Sequence, residues 1–143
     1  MTTDVFGNLA DWGPVLDRLE KLREEKLLDE HQYGMARMLR YRTNPRLIEQ
    51  TLICALDIRQ ASDVLIAEVL DVVVSTGVNL SFRTQAASVL GHLLTHRPPQ
   101  TSAESLNIKQ VVETMEGLAT VSGQPVLVAA LEGALGKVRF IAR

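Results

Sequence analysis

The sequence predicts an all-α protein built from stacked helical hairpins, and two observations support that fold class. Three segments can be laid over one another, at 45–59 (PRLIEQTLICALDIR), 79–93 (NLSFRTQAASVLGHL) and 124–138 (QPVLVAALEGALGKV). In each, a turn signal opens a helix that ends near a leucine and a breaker or polar residue. Leu56, Leu90 and Leu135 then recur within the period of roughly 20–50 residues that is typical of stacked hairpins, because one hairpin alone cannot bury its apolar face.

The composition fits one globular domain over residues 1–143. A hydrophobic share of 46% and a mean hydropathy of +0.08 argue against disorder, and only 4% aromatic residues imply an aliphatic core. The formal charge of −2 lacks the basic excess of a general nucleic-acid binder, although a local basic groove remains compatible with it. Cys54 is the only cysteine, so no intramolecular disulfide can form, and we expect it to pack as a small hydrophobe.

The N-terminal region is predicted to be a flexible arm over residues 1–11 and a capping helix over 12–28. Asp11 can cap this helix, and Pro14 lies in its first turn, where a missing N–H costs little. An apolar stripe with helical spacing follows, formed by Val15, Leu16, Leu19, Leu22 and Leu27. No export signal and no apolar stretch of membrane-spanning length is visible, so we expect a cytoplasmic protein with no membrane contact.

Three hairpins are predicted within 29–140, pairing 29–42 with 44–59, 63–76 with 80–96, and 107–121 with 125–140. Asn44 and Asn107 are N-cap candidates, and either Ser62 or Asp63 can cap the fourth helix. Pro45 and Pro125 fit the first turn of a helix. A polar loop over 100–105 lengthens the second spacing.

The fourth helix is the least ordinary, because residues 64–74 are apolar nearly all round. A β-branched run of this kind also fits a strand. Its two acids, Glu68 and Asp71, have helical rather than alternating spacing, which favours a helix sandwiched between neighbours. For these acids a solvent-facing helix edge is expected rather than a buried acid.

The segment 79–93 resembles the second helix of a HEAT repeat, with its aromatic residue, arginine, paired alanines and Leu-Gly. The resemblance to this HEAT/armadillo-like family covers residues 29–140. It implies a short right-handed α-solenoid whose second helices line a concave binding side. The family's arginine appears only as Arg83, since Glu49 and Val128 occupy the equivalent positions. A compact helical bundle therefore remains the alternative architecture.

Equivalent positions on the second helices predict what such a concave side presents to a partner. The partner-binding candidates are Arg46, Glu49, Gln50, Arg83, Thr84 and Glu132. This strip of mixed polarity fits a protein or peptide better than a nucleic-acid duplex.

A second candidate site is a run of arginines around the turn between the second and third helices. It comprises Arg37, Arg40, Arg42 and Arg46, with Tyr41 among them. Guanidinium groups suit phosphate or carboxylate, which predicts a patch for an anion or an acidic partner. The alternative is a solvated helix end, where cations interact favourably with the C-terminal dipole.

Reactive arrangements are sparse in the sequence. His92 and His96 have the i,i+4 spacing of two metal ligands, but the glutamate of a zincin helix is replaced by Leu93. Gly133 and Gly136 are expected to permit close helix packing rather than to approach a phosphate. The sequence thus predicts no enzyme, no cofactor and no metal.

The expected function is a non-catalytic protein–protein interaction or adaptor module that uses the concave side. Nucleic-acid binding through the arginine run is one alternative. A homo-oligomeric structural protein, such as a homodimer joined by an apolar stripe, is the other.

Overall fold

A computed structural model describes residues 5–98 and 106–141, with side chains as far as residue 139. These ranges contain only helical elements, turns and loops, which confirms the all-α class and excludes the strand alternative for residues 64–74. The described residues form seven α-helices, α1 (Trp12–Glu24), α2 (Gln32–Arg40), α3 (Pro45–Ala55), α4 (Asp63–Val74), α5 (Leu80–Thr95), α6 (Ile108–Val121) and α7 (Pro125–Ile141). A short 3₁₀ helix, Leu28–His31, precedes α2. The predicted polar loop over 100–105 lies outside the described residues.

Local side-chain chemistry sets where the helices begin. Asn44, Ser62, Asn79 and Asn107 each accept a hydrogen bond from a backbone N–H in the first turn that follows. Such a bond satisfies one of the four N–H groups that a helix start leaves without an intrahelical partner. The fourth helix is thus capped by Ser62 and not by Asp63, while Pro45 occupies the first turn of α3 as predicted.

The helices pack in two ways. Sequence neighbours form hairpins, in which α2 packs against α3, α4 against α5, and α6 against α7. Helices two places apart also pack, since α1 contacts α3, α3 contacts α5, α5 contacts α7, and α2 contacts α4. One continuous apolar core, from Phe6 to Val138, fills the space between them.

Contacts between helices two places apart join equivalent ends. Arg46, at the start of α3, lies over the ring of Trp12, at the start of α1, while Arg23 near the end of α1 pairs with Asp57 just past α3. These two helices therefore run parallel. The helical array therefore has two distinct ends, each formed by connections between helices. We call residues 41–44 and 75–79 the turn end, and residues 25–31, 56–62 and 96–98 with 106–107 the linker end.

Polar bonds join successive connections at the linker end. The carboxylate of Asp29 accepts hydrogen bonds from the backbone N–H groups of Arg59 (3.0 Å) and Gln60 (2.8 Å). The buried amide of Gln32 donates to the carbonyl of Gln60 (2.8 Å) and accepts from the N–H of Ser62 (2.7 Å). Both side chains therefore form hydrogen bonds with backbone groups of the next connection. A loop that lies beside the core needs such bonds, because buried backbone groups must be paired.

The same pattern continues into the third hairpin. The carbonyl of His96 accepts a hydrogen bond from the N–H of Ala61 (3.1 Å). Arg97 pairs with Asp63 at 2.7 Å, and that carboxylate also accepts the N–H of Leu106 (2.7 Å). The Arg97 hydrogen bond is the main reason that the pKa of Asp63 is lowered. Asp63 therefore ties the start of α4 to the connection that follows α5.

Helices α5 and α7 approach each other closely at Gly91. A Cβ atom built on Gly91 would stand 2.7 Å from the Cβ and 2.9 Å from the Cα of Ala134. The expectation that Gly133 and Gly136 permit close packing is wrong, because a Cβ at either position would meet no described atom within 4 Å. The glycine that the packing needs is on the facing helix.

The N-terminal predictions need two corrections. Residues 1–4 lie outside the described residues, but Phe6 and Leu9 are buried, so this part of the predicted flexible arm packs on the core. The carbonyl of Phe6 accepts a hydrogen bond from Arg18, which fixes the segment on α1. The apolar side chains of this segment, Val5, Phe6, Leu9 and Ala10, span too few residues to establish a period, so the sequence did not indicate which of them are buried.

The capping helix ends at Glu24 instead of residue 28. The N–H of Leu27 donates to the carbonyl of Leu22, and the N–H of Lys26 donates to that of Arg23. This is the Schellman pattern, with Lys26 in the left-handed region at a φ of 60°. Glycine is the usual residue at that position. Because the sequence has a lysine there, it did not indicate that the helix ends.

Within residues 5–98 and 106–141, no helix combines the length and the hydropathy that crossing a membrane requires.

Candidate protein-binding cleft at the turn end

A cleft of about 660 Å³ opens at the turn end, between the first two hairpins. It is lined by the last residues of α2, the first residues of α3 and α5, and the turn after α4: Arg40, Arg42, Pro45, Ile48, Asp71, Ser75, Gly77, Val78, Asn79 and Phe82. Its position follows from the fold, because parallel packing of α2 on α4 and of α3 on α5 brings two successive turns side by side.

The floor of the cleft is apolar. Ile48 is buried, while Val78 and Phe82 are partly buried and pack against the core from the α4–α5 turn and the first turn of α5. Two polar side chains beside them already form hydrogen bonds within the protein. Asn79 caps α5, and the hydroxyl of Ser75 donates to the carbonyl of Asp71 (2.6 Å). An apolar side chain of a ligand can cover this floor without leaving these polar groups unpaired.

The rim of the cleft carries two ion pairs between α2 and α4. Arg42 donates to Asp71 at 2.7 Å, and Arg40 lies 3.3 Å from Glu68. Burial raises the pKa of Glu68, an effect that the charge of Arg40 opposes. The expectation that both acids face solvent from a helix edge holds for Asp71, which is exposed, but Glu68 is mostly covered.

A shallower depression of about 490 Å³ adjoins the cleft and shares Arg40 with it. The other lining residues are Asn8, Leu9, Tyr33, Arg37 and Tyr41, which include both tyrosines of the chain. Arg37 donates to the carbonyl of Gly7 at 2.8 Å and so joins α2 to the N-terminal segment. Tyr33 is 60% exposed.

The structure divides the predicted arginine patch. Arg37 and Arg40 stay together in the shallow depression, whereas Arg42 turns to Asp71 in the deeper cleft. Arg46 lies on the ring of Trp12, with its guanidinium carbon 5.6 Å from the ring centroid. Three of the four arginines therefore line adjoining depressions, because Arg40 lines both, while Arg46 lies apart from them beside α1.

The six residues predicted for the concave side contact different elements. Arg46 and Gln50 line a groove between α3 and α1, and Arg83 donates to the carbonyl of Val73 in α4 at 2.9 Å. Thr84 donates to the carbonyl of Leu80 within its own helix. The remaining two, Glu49 and Glu132, are exposed on α3 and α7.

Reactive side chains elsewhere serve the fold. Burial raises the pKa of the Cys54 thiol to about 11, so little thiolate forms near neutral pH. The rings of His92 and His96 stack with centroids 4.1 Å apart, and Nε2 of His92 lies 3.2 Å from the carbonyl of Ile58. The described residues contain no group of three or more His, Cys, Asp or Glu side chains able to hold a metal ion.

Sequence reasoning missed Val78 and Phe82, which shape the cleft, and Tyr33, which lines the depression beside it. One signal was present: if two hairpins stack, the turns before Pro45 and Asn79 must be neighbours. Apolar residues that follow such turns are candidates for an exposed floor.

Comparison with known proteins identifies no family model, no curated protein and no solved structure that matches this chain.

Proposed function

We propose that this protein is a non-catalytic protein-interaction module, built as a short right-handed HEAT-like α-solenoid. The packing of helices two places apart supports the solenoid, because equivalent helices of successive hairpins pack in parallel in such arrays. In this arrangement α1 is the second helix of an incomplete first layer, and it occupies the position of the predicted capping helix.

The binding site that the geometry supports best is the turn-end cleft, rather than the six residues predicted for the concave side. The observation that carries this proposal is the open apolar floor of Ile48, Val78 and Phe82 beneath the charged rim of Arg42 and Asp71. Binding sites commonly combine an apolar surface with a few polar groups that fix orientation. The occupant we propose is a peptide segment of another protein, which places an apolar side chain on this floor.

Nucleic-acid binding is less well supported. Arg42 already pairs with the exposed carboxylate of Asp71 at 2.7 Å, which reduces the charge that it offers to phosphate. Binding along a phosphate backbone also needs several free cations in a row. The turn-end cleft offers an apolar floor instead.

The test compares two valines in successive hairpins. Val78 lines the cleft, whereas Val121, which is 78% exposed at the end of α6, does not. The full chain captures partners from a cell extract by chemical cross-linking, and each captured protein is purified and titrated against the wild type and the two variants by calorimetry. We expect Val78→Glu to weaken binding by about tenfold or more, and Val121→Glu to leave it unchanged.

Circular dichroism establishes that both variants are folded before titration. Equal affinity of the wild type and the Val78→Glu variant for every purified partner would contradict the proposed site. If the chain captures only itself, the homo-oligomeric alternative replaces the adaptor proposal, and light scattering across a concentration series measures that association.

A further inference from the structure

The described residues that line the shallow depression beside the cleft carry basic and neutral polar side chains. In the described part of the chain, its lining includes two arginines, two tyrosines and an asparagine, but no acidic side chain. The carboxylate nearest to Arg40 is that of Glu68, whose side chain is only 20% exposed, whereas the side chain of Arg40 is 50% exposed. The Arg40 side chain is therefore more accessible to solvent than the Glu68 side chain with which it pairs.

The hydrogen-bond donors of this depression are suited to binding a carboxylate. Arginine presents several N–H groups in a planar fork, and its Nε contact with Glu68 engages only one of them. The hydroxyls of Tyr33 and Tyr41 and the amide of Asn8 can each donate a further hydrogen bond. Tyrosine and arginine are also enriched among the residues that dominate binding energy at protein interfaces.

Arg40 joins the two depressions, since it lines both. A bound segment that places an apolar side chain over Phe82 can therefore place a neighbouring residue beside Tyr33. From this juxtaposition we infer that the partner segment is acidic: its carboxylates bind at Arg40 and the tyrosines, and an apolar residue of the same segment covers the cleft floor. This inference rests on the proposed function and specifies the chemistry of the partner.

The surroundings favour an acidic peptide over a nucleic acid. The far rim of the cleft carries the exposed carboxylate of Asp71, which repels a continuous phosphate backbone but can be avoided by a peptide with localised charges. The apolar floor also suits an aliphatic or aromatic side chain better than a phosphate.

The experiment uses a random peptide library selected on the immobilised full chain. We expect the enriched peptides to contain Asp or Glu together with a large apolar residue. Enriched peptides are then synthesised with a fluorescent label and titrated by anisotropy, in the presence and absence of an unlabelled single-stranded oligonucleotide.

Matched variants locate the carboxylate site. Arg40→Gln and Tyr33→Ala are each expected to weaken binding of the labelled peptides by at least about tenfold. The control is Arg139→Gln on α7, because Arg139 is also an exposed arginine paired with a glutamate, Glu116, at 2.6 Å. This control should bind as the wild type does.

Three outcomes overturn the inference: enrichment of neutral or basic peptides, equal losses for the Arg40 and Arg139 variants, or displacement of the peptide by the oligonucleotide at lower concentration than by the unlabelled peptide. Neutral or basic enriched peptides that still lose affinity on Val78→Glu would leave the proposed cleft standing while this inference fails. Peptides that bind equally to the Val78→Glu variant would instead contradict the cleft itself.

Discussion

The two ends of the helical array differ in how neighbouring connections meet. At the linker end, Asp29, Gln32 and Asp63 each bond to backbone groups of a later connection, so successive loops are tied together. At the turn end, the same helices are joined by ion pairs on the rim, and an open cleft separates the turns.

This difference indicates that the two ends have different roles. Side-chain bonds to backbone N–H groups at the linker end fix the relative positions of the hairpins, because each leaves a backbone group unpaired if it is lost. Exposed ion pairs contribute little to stability, and the turn end can therefore present charged groups to a partner with little loss to the fold.

The largest effect should follow from removing Gln32. The substitution Gln32→Met keeps the length of the side chain but leaves the N–H of Ser62 and the carbonyl of Gln60 without these partners. We expect the free energy of unfolding to fall by about 2–4 kcal/mol, measured by urea denaturation followed by circular dichroism.

The contrast at the turn end is Asp71→Asn, which removes an exposed ion pair with Arg42. Its expected cost is below about 1 kcal/mol. If both substitutions cost the same, the proposed division between a fixed end and an open end is wrong.

An intermediate effect is expected where α5 crosses α7. In Gly91→Ala, the new Cβ meets the Cβ and the backbone of Ala134, so the helices must separate. Overpacking costs about 1–3 kcal/mol and the better helix propensity of alanine returns about 1 kcal/mol, which leaves a net loss of up to about 2 kcal/mol.

Gly133→Ala on α7 is the matched control, because its Cβ meets no described atom within 4 Å. Here only the helix propensity changes, and the free energy of unfolding should rise by about 0.5–1 kcal/mol. Opposite signs in the two denaturation curves are the diagnostic result. A stabilised Gly91→Ala variant would show that the two helices do not cross at this point.

The smallest effect concerns pH and the linker end. Burial lowers the pKa of His92 from its ordinary value, and His96 and Lys137 lower it further, while the hydrogen bond to Ile58 and the charge of Asp57 oppose the shift. The unfolded chain therefore binds this proton more readily than the folded chain. His92 contributes stability that is present above about pH 6.5 and is lost as the pH falls through the folded-state pKa.

Thermal unfolding between about pH 7.5 and about pH 5.5 measures this effect. The His92→Gln variant is the control, since its amide can still donate to the carbonyl of Ile58 but does not titrate. We expect a smaller fall in the unfolding midpoint for the variant than for the wild type. Equal falls would assign the pH dependence to other groups.

The sequence determined by itself where most helices begin. A cap such as Asn44 or Asn79 bonds to an N–H two residues away, and Pro45 presets its own φ angle, so these signals depend on nothing distant. The end of α1 was predicted too late, because Lys26 adopts the left-handed conformation that the sequence rule assigns to glycine. The all-α class and the hairpin pairing follow from the local signals together with apolar periodicity.

Only the tertiary structure decided which charges are balanced and which glycine is needed. Arg37, Arg40, Arg42 and Arg46 are close in sequence, but their partners come from the N-terminal segment, α4 and α1. Likewise Gly91 differs from Gly133 only in what the facing helix places opposite it. Long-range packing determines these contacts. Neither the conformation of a flexible arginine nor the need for a glycine can be inferred from the residues beside it in the sequence.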